Sequence, residues 1–190
     1  MEEKALYYTE TEYLDLEENS ETKNEYFNGQ IYAMAGASVK HITIASNLIM
    51  SLGFQLRKKN CVVFGSDMRV KISDTGLYTY PDISIACEDR KLTGDKTNTL
   101  LNPVVIVEVL SDSTERYDRG EKFAHYRQLS SLQEYVLVSQ NSKKIEKFSR
   151  NSAGKWELTE TTVEVPEIDL PMINCKLSIE EVYDKVDMDK

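Results

Sequence analysis

Val104-Val105-Ile106-Val107-Glu108-Val109-Leu110 is the most apolar stretch of the chain, and it holds one charge. A continuous aliphatic run of this length reads as a strand covered on both faces. Pro103 introduces it, and a helix is expected to follow from about residue 114 to 129. Glu134 to Ser139 then returns as a second buried strand. On the other side, Tyr80 to Ala86 reads as a strand and the polar stretch Glu88 to Asn102 as a loop. Strand, strand, helix, strand around one apolar run predicts an α/β (α+β) fold, a mixed central β-sheet flanked by helices.

Outward from this centre the pattern continues in short elements. Cys61 to Ile72 reads as a strand, with Asp74-Thr75-Gly76 as a turn after it. Before it, Ser38 can cap a long helix to about Lys58, whose expected inward stripe is Ile42, Ala45, Leu48, Ile49, Leu52 and Leu56. An N-terminal β-hairpin, Asn24 to Phe27 and Gln30 to Met34, is joined by Asn28-Gly29, a pair that tolerates the positive φ of a type I′ turn. Thr9 to Glu17 reads as an amphipathic helix turning Tyr13 and Leu14 inward. Downstream, Lys143 to Ser149 and Lys155 to Thr162 form a second hairpin, and a short helix lies near Ser178 to Val182. Without a repeat or a flexible linker, residues 1–190 are expected to form a single domain with a core from about 9 to 183.

With 41% hydrophobic and 29% charged residues the composition is that of an ordinary globular protein. The longest apolar runs are strand-sized, and the acidic N-terminus lacks an apolar signal core, so a cytoplasmic protein away from membranes is expected. Cys61, Cys87 and Cys175 are widely spaced and odd in number, which predicts reduced thiols. The net charge of −9 runs against nucleic-acid binding, yet it is uneven. Residues 22–156 carry 19 of the 23 Lys and Arg but only 14 of the 32 Asp and Glu, leaving a mildly basic middle between acidic ends. That distribution permits a DNA partner without requiring one.

Glu108 is the most informative residue. Burying a carboxylate costs several kcal/mol unless a cation or hydrogen-bond donors compensate. A structural ion pair is the plain alternative; a site residue is the sharper one. Asp82, in Tyr80-Pro81-Asp82-Ile83-Ser84-Ile85, sits near a strand start, because Pro81 cannot donate to a ladder. Period-2 alternation puts Ile83 and Ile85 on one face and Asp82 and Ser84 on the other. Two convergent carboxylates would suit Mg²⁺, or Mn²⁺. Lys122 falls among Phe123, Tyr126 and Leu129 on a helical wheel. It either snorkels to water or reaches a buried carboxylate, and Asp118 one turn earlier can pair with it.

Taken in order, these residues resemble the Uma2 family of restriction-endonuclease-like proteins in the PD-(D/E)XK nuclease superfamily. The matching positions are Tyr80-Pro81-Asp82, Glu108-Val109-Leu110-Ser111, and Asp118, Lys122 and Tyr126 in the spacing D-x₃-K-x₃-Y. Glu25 before Asn28-Gly29, Ala37-Ser38 followed by His41, and Glu134 to Val138 with Gln140 match as well. The resemblance implies a restriction endonuclease-like core, metal ligands at Asp82 and Glu108, and catalytic roles for Lys122 and Glu25. His41, Asp118 and Tyr126 would support them. A strict E-x-K would put lysine at Leu110, and Lys122 is its natural substitute. Asp112 stands where such sequences usually carry proline.

His41, within the apolar stripe of its helix, reads as a core histidine with a site-facing role left open, and His125, on the polar side of its helix, reads as a surface one. Arg57-Lys58-Lys59 reads as the cationic close of a helix. The function expected is a Mg²⁺-dependent endonuclease hydrolysing DNA phosphodiester bonds. A non-catalytic nucleic-acid- or protein-interaction module on the same scaffold is the alternative, and a small-molecule hydrolase a third. A homodimer would place two symmetric sites on two strands.

Overall fold

The six residues from Val105 to Leu110 form a strand with every side chain buried, at the centre of a six-stranded sheet. This is a computed structural model, and the structure describes residues 6–93 and 99–188. In chain order its helices are α1 (Glu10–Asn19), α2 (Val39–Leu56), α3 (Glu115–Tyr117), α4 (Phe123–Tyr126) and α5 (Ile179–Val182). A π-helical segment, Asp118–Lys122, joins α3 to α4. The strands are β1 (Asn24–Phe27), β2 (Gln30–Ala33), β3 (Cys61–Phe64), β4 (Val70–Ile72), β5 (Leu77–Thr79) and β6 (Ile83–Cys87). They continue as β7 (Val105–Leu110), β8 (Glu134–Ser139), β9 (Ile145–Arg150), β10 (Trp156–Glu160), β11 (Glu167–Leu170) and β12 (Cys175–Ser178).

The large sheet runs β10-β9-β8-β7-β6-β3. Only β7 and β8 are parallel, joined by the helical crossover; the other pairs are antiparallel. Alternation along β7 divides the core. Val105, Val107 and Val109 pack with Ile44, Leu48, Leu52 and Leu56 of α2 and with β11 and β12. Ile106 and Leu110 pack on the opposite side with Phe123, Tyr126 and Leu129, and with Val70, Ile72 and Leu77 of a smaller sheet ordered β2-β1-β5-β4. Glu108 shares the parity of Ile106 and Leu110, so it faces the layer that contains the helical crossover.

Several expectations hold in detail. Thr9 closes a capping box with Glu12, Ser38 Oγ accepts the His41 N–H at 3.1 Å, and Asn28 and Gly29 take φ of 47° and 79°. Others require correction. The strand expected over 61–72 is two strands in two sheets, because Gly65-Ser66-Asp67 supplies a turn, closed by Met68 N–H on the Gly65 carbonyl. Instead of one continuous α-helix over 114–129, the crossover holds the π-helical segment at its middle. The apolar face of α2 is rotated: Ile44, Leu48, Leu52 and Leu56 are buried, whereas Ile42 and Ile49 are 54% and 37% exposed. Apolar residues lie on both faces of α2, so periodicity could not select the inner one. Residues 94–98 of the expected 88–102 loop lie outside the described residues. The β11–β12 hairpin was not foreseen; Ile168, Leu170, Cys175 and Leu177, alternating with polar residues, carry its signal.

The cysteine expectation also changes. Cys61 and Cys87 are directly opposite in the β3–β6 register and are joined by a disulfide, leaving Cys175 free and buried. Register, not spacing along the chain, decided the pair. Among the described residues no helix is long and apolar enough to cross a membrane.

Glu134 opens β8 and is buried, with Lys147 Nζ 3.7 Å from Oε1, beyond hydrogen-bond reach. Burial pushes its carboxyl up to about 7 against the pull of Lys147. Between the ordinary carboxylate range and pH 7 the folded chain therefore holds a proton that the unfolded chain has released, so stability falls as pH rises through that window. Glu134→Gln should flatten part of this slope, as urea unfolding at pH 5 and pH 8 will measure.

Candidate functional site

At the end of β7 where β6 begins, five segments of chain bring charged side chains to one point. The β6–β7 pairing begins at Ile83↔Val107, and just before it Asp82 comes beside Glu108. The Asp82 N–H donates to Glu108 Oε2 at 3.2 Å, and the Val109 N–H donates to Asp82 Oδ2 at 2.7 Å. The two carboxylates are thus tied to each other's backbone. Pro81 ends any competing ladder just before them.

Lys122 enters from the crossover. Its ammonium lies 2.9 Å from Glu108 Oε1 and 3.6 Å from both Asp118 Oδ1 and Glu25 Oε1. The π-helical segment places Asp118 and Lys122 four residues apart, and both are buried. Single π turns of this kind accompany functional sites and re-aim side chains that an α-helix would turn elsewhere. Lys122 does not snorkel; its whole length is enclosed and its head points at Glu108.

Supporting groups complete the cluster. Tyr126 Oη donates to Glu108 Oε1 at 2.8 Å. Tyr135 Oη donates to the Asp118 carbonyl at 3.0 Å. Glu25, opposite Tyr32 in the hairpin, accepts a hydrogen bond from Thr79 Oγ1 of β5. His41 Nε2 lies 2.9 Å from Asp82 Oδ1. This last pair is the outer edge of the cluster, with side chains 16% and 18% exposed against 4% for Glu108. His41 therefore takes the site-facing of its two expected readings, turned toward Asp82 and not embedded in the apolar core. Its helix is held there by Ser38, whose hydroxyl donates to Gln140 Oε1 at 2.8 Å. Thr79 and Tyr135 were not foreseen, since neither stands out in its strand; only the register brings them to the cluster. His125, expected on the surface, is half-buried against the Phe27 ring with centroids 4.7 Å apart.

The electrostatics follow from four carboxylates around one ammonium. Burial raises Glu108 to about 8, with Lys122 opposing the shift and Asp118 and Asp82 adding to it. Burial also raises Asp118. For Lys122, burial acts to lower the pKa, but Glu108, Glu25 and Asp118 together hold it well above its ordinary value. Burial, with Glu108 beside it, keeps the Tyr126 phenol protonated. Among the described residues Lys122 thus carries the fixed positive charge at the centre of four acidic side chains.

No group of three or more His, Cys, Asp or Glu side chains is disposed to hold a metal ion among the described residues. Asp82 and Glu108 nevertheless offer hard oxygen donors. One or two carboxylates are what Mg²⁺ needs when it keeps several of its waters. The donor set fits such an ion by chemistry and by the sign of the local charge.

Comparison with known proteins gives a consistent result. The Uma2 family, described as "Putative restriction endonuclease", matches residues 11–180. Two uncharacterized proteins of Synechocystis are similar over most of their length. One is 38% identical, covering 90% of this chain and 89% of the relative; the other is 36% identical, covering 85% and 91%. A crystal structure from Anabaena variabilis, titled as that of "a putative nuclease belonging to DUF820", aligns with a TM-score of 0.73 at 18% identity. It covers 91% of this chain and 96% of its own, and at that identity it establishes the fold.

Removing the ammonium should leave buried carboxylates without a counter-charge. Lys122→Met should cost roughly 3–5 kcal/mol at pH 8. The loss should shrink at pH 5, where Glu108, pushed up to about 8 by burial, is neutral. Tyr126→Phe keeps the ring and removes one donor, so about 1–3 kcal/mol is expected. Chemical denaturation of both variants at the two pH values will check the order.

Proposed function

The chain belongs to the Uma2 family, and on that premise we propose that it is a Mg²⁺- or Mn²⁺-dependent endonuclease hydrolysing phosphodiester bonds in DNA. The observation that supports this most is the buried Glu108–Lys122 pair set beside Asp82, with more carboxylate than one ammonium can balance. Asp82 and Glu108 would hold the metal, approached from the partly exposed His41 edge. A divalent cation there polarises a phosphate and lowers the pKa of an attacking water. Lys122 would place its charge against the developing negative charge on phosphorus oxygens, or orient the water. Glu25 and Asp118 keep that ammonium charged and in position. Tyr126 fixes the Glu108 carboxylate by its hydrogen bond, and His41 holds Asp82. The mildly basic middle of the chain would meet the DNA backbone.

One observation favours a second reading, a non-catalytic interaction module on the nuclease scaffold. Each oxygen of Asp82 and Glu108 already has a protein donor: His41 and the Val109 N–H for Asp82, and Lys122, Tyr126 and the Asp82 N–H for Glu108. A cation must compete with that closed network. Acidic ends and Asp112 point the same way.

Plasmid DNA incubated with Mg²⁺ or Mn²⁺ should be nicked or linearised, and chelation should stop the reaction. Lys122→Ala should abolish cleavage while calorimetric Mg²⁺ affinity stays within a few-fold of wild type, whereas Asp82→Asn should lose both. Wild type that never cuts under either cation gives the lead to the interaction module. DNA affinity should also fall steeply with added salt, as counterion release requires; salt-independent binding would argue against contact through phosphates.

A further inference from the structure

A file of side chains runs outward from the charged cluster across the smaller sheet. Thr79 of β5 is fully buried and donates to Glu25 Oε1. The Glu25 side chain is 14% exposed and lies 3.6 Å from the Lys122 ammonium. Tyr32, opposite Glu25 in the β1–β2 register, is 53% exposed. Directly opposed residues of an antiparallel pair share a face, with Cβ atoms about 5 Å apart, so Tyr32 stands beside Glu25 where the file meets solvent. In this sheet β2 pairs only with β1, and no strand covers its outer side. Among the described residues Tyr32 takes part in no hydrogen bond, ring stack or cation–π contact. Tyr13, Tyr26 and Tyr78, on the other face of the same sheet, pack against one another instead. The chain that follows keeps this border low. Ala33, Ala35, Gly36, Ala37 and Ser38 are small and exposed, and no residue from 32 to 38 is charged. Ser38 is tied to Gln140, and His41 to Asp82, so the segment that begins with the Tyr32 ring ends on the opposite carboxylate of the cluster.

On the reading of the Lys122 cluster as a phosphodiester site, we propose that Tyr32 is the platform on which a nucleobase next to the scissile phosphate stacks, holding the substrate strand unpaired at that point. An exposed aromatic ring with free faces receives any base, because every base has a π face. With no Lys or Arg in residues 32–38, this side of the cluster offers ring surface and not phosphate charge. The division of work is then simple: the ammonium and the carboxylates address the phosphate, and the ring addresses the base beside it. A base inside a duplex is already stacked on both sides and must leave the helix to meet a protein ring, which costs unstacking and unpairing energy. The substrate class that follows is DNA with unpaired nucleotides at the cut, such as single strands, flaps and loops, in preference to continuous duplex. Supercoiled plasmid would be cut where its strands open.

Fluorescence anisotropy of a labelled single-stranded oligonucleotide, and of the same sequence as a blunt duplex, tests this on the full chain with Ca²⁺ in place of Mg²⁺. Wild type should bind the single strand more tightly. Tyr32→Ala should weaken that binding about 5- to 150-fold, the span of one base-on-aromatic stack. Tyr32→Phe keeps the ring and should stay within about threefold of wild type. Tyr32→Trp should bind as well, and the fluorescence it adds to that of Trp156 should be quenched by the oligonucleotide. The ring is mostly exposed, so unfolding midpoints of all three variants should stay near wild type. In Mg²⁺, Tyr32→Ala should raise KM for the single strand with kcat little changed, since a stack away from the reacting atoms favours substrate and transition state alike. Undiminished single-strand binding by Tyr32→Ala overturns the proposal, as does a wild type that prefers duplex or binds neither form; the plasmid and Lys122 assays then judge the nuclease reading separately. Wild type that binds through Tyr32 and never cuts keeps the base contact and overturns the nuclease reading instead.

Discussion

A charged pair buried between a sheet and its crossover helix constrains everything near it. Glu108 stands in a strand with both faces covered, where an isolated carboxylate could not remain ionised. Lys122 meets it at 2.9 Å, and neither group is tolerable in that interior without the other. The partnership has to be built by the backbone. The parallel crossover carries Lys122 over β7, a π-helical segment turns it and Asp118 inward together, and Tyr126 on the next turn holds the carboxylate from the other side. Losing Lys122 leaves unbalanced charge inside the protein, and losing Tyr126 leaves Glu108 one donor short.

The cluster is more acidic than structural pairing needs. One ammonium balances one carboxylate, yet Glu25, Asp82 and Asp118 gather around the same point. Structural ion pairs are usually closer to neutral, because each extra buried charge adds desolvation and repulsion. Retaining such an excess at the end of a central strand, with one edge reaching solvent at His41 and Asp82, sets this cluster apart from a simple ion pair. The hydrogen-bond network that closes over it holds the carboxylates in place.

The two faces of the large sheet divide the labour. One face, with α2 and the β11–β12 hairpin, is aliphatic and continuous, and it supplies most of the burial. The other combines aromatic packing around Phe123, Tyr126 and Tyr135 with the polar cluster. Separating them lets the site side accommodate charge without interrupting the main core. The cost falls on α2, whose outer side remains apolar after the core is complete.

Period and punctuation in the sequence were enough for the aliphatic strand, the returning strand at Glu134, the Asn28-Gly29 hairpin and the capped helices, because those features depend on neighbours within a few residues. Glu108 and Asp82 were visible for the same reason: a carboxylate in an aliphatic run and an Asp behind a proline are local contradictions. What lay beyond reach was set by register and packing between distant segments. The Cys61–Cys87 bond, the meeting of Thr79 with Glu25 and the splitting of 61–72 between two sheets arise from strands far apart in the chain. Lys122 points toward Glu108 as expected, but it does so through a π turn, which no fixed angular step on a helical wheel contains. The inner face of α2 was undetermined because an apolar residue stands at nearly every turn, and only the sheet beneath it chose Ile44 over Ile42. Local sequence could specify which groups must be buried together; the tertiary structure alone decided which way each one faces, since facing depends on the partner and not on the residue.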